Sequence, residues 1–301
     1  MMDTPIAVEG RRPVLRITMS YVFGVLAVAA WPVQSASGQP APTAVSPAMG
    51  GPALASKVDT LRIAAVSTLP SNQGDTGDAS LCSQFIQAPT SAGARAVRDA
   101  GWFVTGQASL GGYQAVSFVG ALRPGTSGTC QLDDGNVALF KDGSIRAIAY
   151  GRKGTPNAIG MIRAEAGVVK IHDGDILHAP AAVLRVADDG AVSIDPLPAS
   201  DAVCNGAATV PNIQNLGIDR ARDSLANAGW APSPRAKPMR EAEDPRAFDL
   251  ASRGVSEVDS CSGTGMGYCN FAYRGPAGRL TVTTVGDAEW PTVARYAVTC
   301  K

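Results

Sequence analysis

Residues 83–102, SQFIQAPTSAGARAVRDAGW, align without a gap on residues 211–230, PNIQNLGIDRARDSLANAGW, and this pair of strings decides how the chain is divided. In the first string Thr90 or Ser91 is placed to cap a helix, Ala94, Val97 and Ala100 give it a small apolar face, and Gly101 supplies the left-handed residue that stops it. In the second, Ile218, Ala221, Leu225 and Ala228 fall on one helical face, Asp219 sits in the first turn where the helix dipole favours an anion, and Gly229 is the stop. A tryptophan follows each stop, Trp102 and Trp230, in the position of a packing anchor between helix end and sheet. A second ungapped block pairs residues 116–130 with residues 255–269. Repetition at two scales predicts two related modules.

Around each helix the pattern is that of strands. YQAVSFV and the DG-turned hairpin NVALFKDGSIRAIAYG follow the first; GVSEVDS, CNFAYRGPAGRLTVTTVG and ARYAVTC follow the second. The expected fold class is therefore α+β, two related modules that each pack one helix on a small antiparallel sheet. Residues 168–195 have no counterpart in the second copy and read as an additional β segment that extends the first sheet. The boundaries expected are 78–196 for the first module with its β extension and 201–301 for the second, parted at PLPASD.

The first 77 residues read differently. Arg11, Arg12 and Arg16 flank a nearly uncharged apolar run at 17–33, and small residues follow at Ser35, Ala36, Ser37 and Gly38, the layout of a signal peptide over 1–35. The run is at the lower edge of the roughly 17 to 25 residues a bilayer demands, so no membrane span is expected after cleavage. Residues 36–77, rich in Pro, Ala, Ser and Gly, read as a flexible spacer. Lys+Arg and Asp+Glu balance at 26 each, which gives no field to draw the chain onto nucleic acid. The expected location is outside the cytoplasm, periplasmic or extracellular.

Six cysteines with no CxxC pair suit disulfides in an oxidising compartment. Carried through the duplication, Cys130 aligns with Cys269 and both Cys82 and Cys204 precede a helix, so the pairs expected are Cys82–Cys130 and Cys204–Cys269. The cysteines private to the second copy then form Cys261–Cys300; Cys261–Cys269 is the competing closure.

Residues 210–230, VPNIQNLGIDRARDSLANAGW, resemble the opening of a PASTA domain, an extracellular module of some bacterial kinases and penicillin-binding proteins. The match lies at Val210, Pro211, Asn212, Ala221, Leu225 and Gly229. The resemblance implies a strand entering one helix laid across a three-stranded sheet, and affinity for peptidoglycan fragments through the second module. Beyond Trp230 the cysteine-bearing SCSGTGMGYC replaces that family's valine-rich strand.

The expectation for function is a non-catalytic cell-envelope binding or structural protein, without cofactor, whose partner is peptidoglycan or an envelope protein. Tyr268, Phe271 and Tyr273, around the second loop, are the candidate ligand-facing aromatics. Two rivals come from other classes. A secreted hydrolase or metal site would use His172, Asp175 and His178 of KIHDGDILH, whose histidines face each other if the chain turns at 173–175. A protein-binding or inhibitor module would present the loop between Cys261 and Cys269. The acidic pairs Asp133, Asp134 and Asp188, Asp189 precede glycines and read as turns.

Overall fold

Val116, Phe118 and Ala138 face one side of two neighbouring strands, Ala115, Val137 and Leu139 face the other, and all six are buried. A sheet apolar on both sides needs a layer on each side, and that requirement organises the first half of the protein. The computed structural model describes residues 52–301 apart from 156, 166, 167 and 264; the expected signal peptide lies outside the described residues. No helix among the described residues is long and apolar enough to cross a membrane.

The elements, in chain order, begin with β1 (Leu54–Ser56), β2 (Leu61–Ala65), a 3-10 turn at Ala79–Phe85, α1 (Ala92–Asp99), β3 (Phe103–Leu110) and β4 (Tyr113–Val119). Next come β5 (Ala121–Pro124), β6 (Cys130–Asp133), β7 (Asn136–Lys141), β8 (Ser144–Gly151), β9 (Met161–Glu165), β10 (Val168–His172), β11 (Pro180–Val186) and β12 (Val192–Asp195). The remainder is β13 (Ser200–Val203), β14 (Ala208–Pro211), α2 (Ile218–Asn227), β15 (Ala231–Pro232), α3 (Pro245–Ser252), β16 (Val258–Cys261), β17 (Cys269–Gly275), β18 (Gly278–Val285) and β19 (Thr292–Cys300).

Strands β2-β8-β7-β4-β3 make one five-stranded sheet and β1-β12-β11-β10-β9 a second. Their inner faces share one core, in which Leu61, Val137, Leu139 and Ala149 of the first meet Ile162, Ile171, Leu184 and Ile194 of the second. The outer face of the first sheet is covered by α1, through Ala94 and Val97. Ser91 caps α1 by accepting from Ala94 N at 3.1 Å. In the C-terminal part, α2 and α3 contribute Ile218, Ala221, Leu225, Ala247 and Leu250 to a separate core with the sheet β15-β17-β18-β19, to which β16 adds by pairing with β17.

This corrects the expected α+β pair of one-helix modules. The chain is mostly β, with several sheets. Residues 168–195 do not extend the first sheet; together with β1 and β9 they form the opposing one. The aligned blocks also play unlike parts: residues 116–119 belong to a central strand, whereas 255–257 precede the short β16. The likeness is local, a helix, a glycine at φ 88° or 83°, and a tryptophan. Trp230 is buried and donates Nε1 to Thr209 O at 2.8 Å, whereas Trp102 is half-buried and donates to Pro70 O at 2.7 Å. The spacer reading of 36–77 also ends too late, because β1 and β2 are paired strands and Leu61 is wholly buried. The described residues fall in one compact unit, so 78–196 and 201–301 are parts with their own cores rather than separate units.

Three disulfides are present, compatible with an exported protein: Cys82–Cys130, Cys204–Cys300 and Cys261–Cys269. Two of them replace the expected Cys204–Cys269 and Cys261–Cys300. Antiparallel pairing of β16 with β17 sets Cys261 directly opposite Cys269, Cα to Cα 4.0 Å, while the end of β19 brings Cys300 to the β13–β14 turn at Cys204. Strand pairing, not descent from a common repeat, decides which sulfurs meet.

Candidate functional site

The aromatics expected to face a ligand do not. Phe271 and Tyr273 alternate along β17 with their side chains in the C-terminal core, 0% and 1% exposed, and only Tyr268, just before the strand, is half-buried. The reason is the register: with Cys269 facing inward, period-two alternation sends 271 and 273 inward as well. Tyr273 Oη donates to Glu257 Oε1 at 3.0 Å, and Arg222 Nε lies 2.5 Å from the same oxygen. Burial, and then the charge on Glu257, hold the Tyr273 hydroxyl far above its ordinary pKa, so it remains a donor.

The histidine site does not assemble either. His172, at the end of β10, donates Nδ1 to the backbone carbonyl of His178 at 2.8 Å. The His178 ring packs on Phe85, centroids 4.6 Å apart, and its nitrogens are buried without a hydrogen-bond partner. Asp175 is exposed and accepts from Ile176 N at 2.8 Å. Among the described residues no group of three His, Cys, Asp or Glu side chains is placed to hold a metal. A seven-residue loop, 173–179, stands where the short turn was expected, and in it the His178 ring packs on Phe85 while His172 bonds to the His178 carbonyl.

That loop carries two opposed titrations. Burial pushes the Asp173 carboxyl up to about 6, against the pull of the Ala179 and Asp175 N–H groups, and burial pushes His178 down to about 4. A carboxyl raised in the folded state gains protons on folding, so its contribution to stability grows as the pH falls through 6; a histidine lowered in the folded state costs stability as the pH falls from 6.5 towards 4. Each amounts to about 3 kcal/mol and they oppose, so this loop leaves stability nearly level between pH 6 and 4. Asp173→Asn keeps an acceptor for both N–H groups but removes one side of the balance. Urea unfolding at pH 7 and pH 4.5 is expected to show the variant losing about 2 to 3 kcal/mol more than the parent over that interval; equal losses would refute the coupling.

Concavity lies elsewhere. A cleft of about 630 Å³ opens between the β5–β6 ribbon and the outer end of the β7–β8 hairpin. The ribbon brings Arg123, Gln131 and Asp133; the turn to β7 brings Asp134 and Asn136; the end of β8 and the loop beyond it bring Tyr150, Arg152, Thr155 and Asn157. Its walls are locked by close backbone approach. A Cβ on Gly135 would lie 1.7 Å from Ile159 O, and one on Gly174 would lie 2.0 Å from Leu132 O, so neither position admits a side chain. Leu132 N donates to Gly174 O at 2.7 Å, tying the ribbon to the 173–179 loop.

Within the cleft some groups are committed to one another. Arg123 Nε pairs with Asp133 Oδ2 at 2.6 Å, Gln131 donates to Asp133 Oδ1 at 2.9 Å, and Asn136 donates to Asp134 O at 2.8 Å. The side chains of Asp134, Tyr150, Arg152 and Asn157 make no hydrogen bond or ion pair among the described residues. Asp134 and Asn157 both hold positive φ, 56° and 58°, a conformation that Asp and Asn adopt more readily than other side-chain-bearing residues. Tyr150 is 39% exposed, one of few large aromatic surfaces left to solvent. A carboxylate, a guanidinium, an amide and a phenol ring thus share one concave surface with none of them satisfied internally. Such a surface recognises a polar ligand with both hydrogen-bonding groups and a flat face. Asp134 lies in the bend into β7, as expected from the glycine after it, whereas Asp133 ends β6; both line the cleft.

No protein-family model, curated protein or solved structure matches the chain.

Proposed function

We propose that the protein is a non-catalytic, exported component of the cell envelope that binds peptidoglycan fragments in the cleft between the β5–β6 ribbon and the end of the β7–β8 hairpin. The observation that carries the reading is the convergence of four unpartnered side chains, Asp134, Tyr150, Arg152 and Asn157, on one hollow. Peptidoglycan fragments offer sugar faces, N-acetyl groups and peptide carboxylates. Tyr150 supplies a ring to stack on a sugar, Arg152 a fork for a carboxylate, and Asn157 and Asp134 partners for amide and hydroxyl groups. Three disulfides and the signal-like N-terminus support export, and the PASTA-like string at 210–230 adds to the choice of ligand class, although the cleft is in the other half of the chain.

Purified protein is expected to be retained on isolated sacculi and to bind soluble muropeptides. Tyr150→Ala and Arg152→Ala are each expected to weaken muropeptide binding about tenfold, near 1.4 kcal/mol, with unchanged melting temperature because both side chains are surface groups without internal partners. Absence of retention on sacculi would remove the reading. Retention that survives both substitutions would move the site out of this cleft.

A further inference from the structure

Lys170 and Asp201 stand out among the ion pairs of the described residues in that both side chains are nearly sealed from solvent. The Lys170 Nζ lies 2.5 Å from Asp201 Oδ2, and the two side chains are only 6% and 9% exposed. They come from different parts of the fold, Lys170 from β10 of the second sheet and Asp201 from β13 at the head of the C-terminal part. Two further groups are placed on the same atoms. Glu165 Oε2 lies 3.5 Å from Lys170 Nζ, and Tyr296 Oη donates to Asp201 Oδ2. Leu197, Pro198 and Pro180 close the surroundings, around a void of about 20 Å³.

We infer that Lys170 and Asp201 condense into an intramolecular amide, Nζ to Cγ, which crosslinks the sandwich to the C-terminal part. In this step one proton moves from the ammonium to Oδ1 of the carboxylate, giving an amine with a free lone pair and an acid whose Oδ1 hydroxyl is the group that leaves, while Oδ2 stays with Tyr296. The Nζ lone pair attacks Cγ, and the Tyr296 hydroxyl donates to the oxygen that gathers negative charge. Glu165 takes the second proton from nitrogen and returns it to the departing hydroxyl. The Nζ–Cγ bond forms, the Cγ–O bond breaks, and one water leaves; no oxidant or reductant is involved. The adjoining void is large enough for that water.

Side-chain amides do not form between free amines and acids in water at neutral pH because the reaction is slow and unfavourable at ordinary concentration. Two groups held in contact by a folded core react at effective molarities of about 10⁵ to 10⁸ M, which reverses both obstacles. Glu165 is suited to carrying a proton: burial alone would raise its carboxyl, but hydrogen bonding and charge from His172, together with Lys170, hold it below its ordinary value and keep it a base. His172 Nε2 lies 3.3 Å from Glu165 Oε1, on the oxygen that Lys170 does not use. Burial and Asp201 keep the Tyr296 hydroxyl protonated, as a donor must be.

The test is the intact mass of the full chain, purified as secreted, reduced and alkylated, and compared with the mass for the N-terminus found on that preparation. The expected result is a deficit of one water, about 18 Da, with trypsin releasing residues 164–185 and 186–220 as one joined species linked through Lys170 and Asp201. Lys170→Arg is expected to restore the full mass and to separate those peptides. Glu165→Gln is expected to lower the joined fraction several-fold, and an unchanged fraction would overturn the role given to Glu165. A wild-type chain at its full mass, with the two peptides free, overturns the proposal outright. A deficit that persists in Lys170→Arg also overturns it, because the dehydration then lies elsewhere, as in a succinimide at an Asp-Gly turn.

Discussion

Arg222→Leu is expected to cost about 3 to 5 kcal/mol of stability, seen as a fall of about 10 °C in melting temperature. Glu257 is 0% exposed, and its carboxylate is held by the Arg222 guanidinium at 2.5 Å and by Tyr273 Oη at 3.0 Å. Arg222 also donates to Gly254 O at 3.0 Å, so it ties α2 to the residue just past α3 as well as to Glu257 before β16. Its replacement leaves a buried anion with one neutral donor, and that desolvation is the source of the loss. Helix propensity is not a confounding factor, because leucine and arginine are close on that scale. The control is the double variant Arg222→Leu, Glu257→Met, which takes away the charge as well as its partner. It is expected to recover more than half of the loss, the remainder being the Tyr273 hydroxyl left without an acceptor. If the single variant unfolds within about 1 kcal/mol of the parent, the buried carboxylate is not held as described.

How much of this was legible in the sequence depends on distance along the chain. The helix stops at Gly101 and Gly229, the Ser91 cap and the hairpin at Asp142 and Gly143 are written in a few adjacent residues each, and such local grammar is readable. The second sheet is not local. Its clue was nonetheless present in YQAVSFV and NVALFK, where successive residues, Ala115 with Val116 and Val137 through Phe140, are apolar on both faces. A single helix on a sheet leaves one face wet and demands alternation, which neither run shows. Reading residues 168–195 as an extension of the first sheet leaves that second face without cover.

The site was less legible than the fold for the same reason. Arg123, Asp134, Tyr150, Arg152 and Asn157 are spread over 35 positions and meet because the ribbon folds back on the hairpin end. Nothing in YGRKGTPN alone marks it as half of a cleft, although a tyrosine followed by a glycine-flanked basic pair is an unusual choice for a plain turn. The aromatics chosen instead, Phe271 and Tyr273, are core residues because strand register outranks composition: one inward cysteine fixes the direction of its neighbours at 271 and 273. Lys170, in the apolar string VVKIH, carried a readable contradiction, a lysine on a strand with buried neighbours on either side. A cation so placed requires a partner from elsewhere in the chain, and the sequence could not say that it would be Asp201.

The disulfides provide the second large effect and separate two accounts of what holds the C-terminal part. Replacing Cys204 and Cys300 by serine is expected to cost about 4 to 5 kcal/mol, because that bridge spans 96 residues and restrains the unfolded chain over almost the whole C-terminal part. Opening Cys261–Cys269, which spans 8 residues, is expected to cost about 2.5 kcal/mol at most, and Cys82–Cys130, spanning 48, about 4. Strand pairing sharpens the difference. Cys261 and Cys269 sit opposite each other in a hydrogen-bonded hairpin that persists without the sulfur link, whereas Cys300 ends β19, a strand at the edge of its sheet whose start is also bonded to residues 215–217 but whose far end is paired with β18. Loss of its anchor at Cys204 frees that end to fray, and hydrogen exchange should show faster exchange at residues 296–300 in the Cys204, Cys300 variant but not in the Cys261, Cys269 variant. The amide inferred at Lys170 and Asp201 modifies this expectation in a definite way. Tyr296 lies on β19 and bonds to Asp201, so a covalently fixed Asp201 would confine the fraying to residues beyond Tyr296. Fraying that runs back past Tyr296 to Val293 would mean that β19 is held by its terminal bridge rather than by its contacts with the buried cluster.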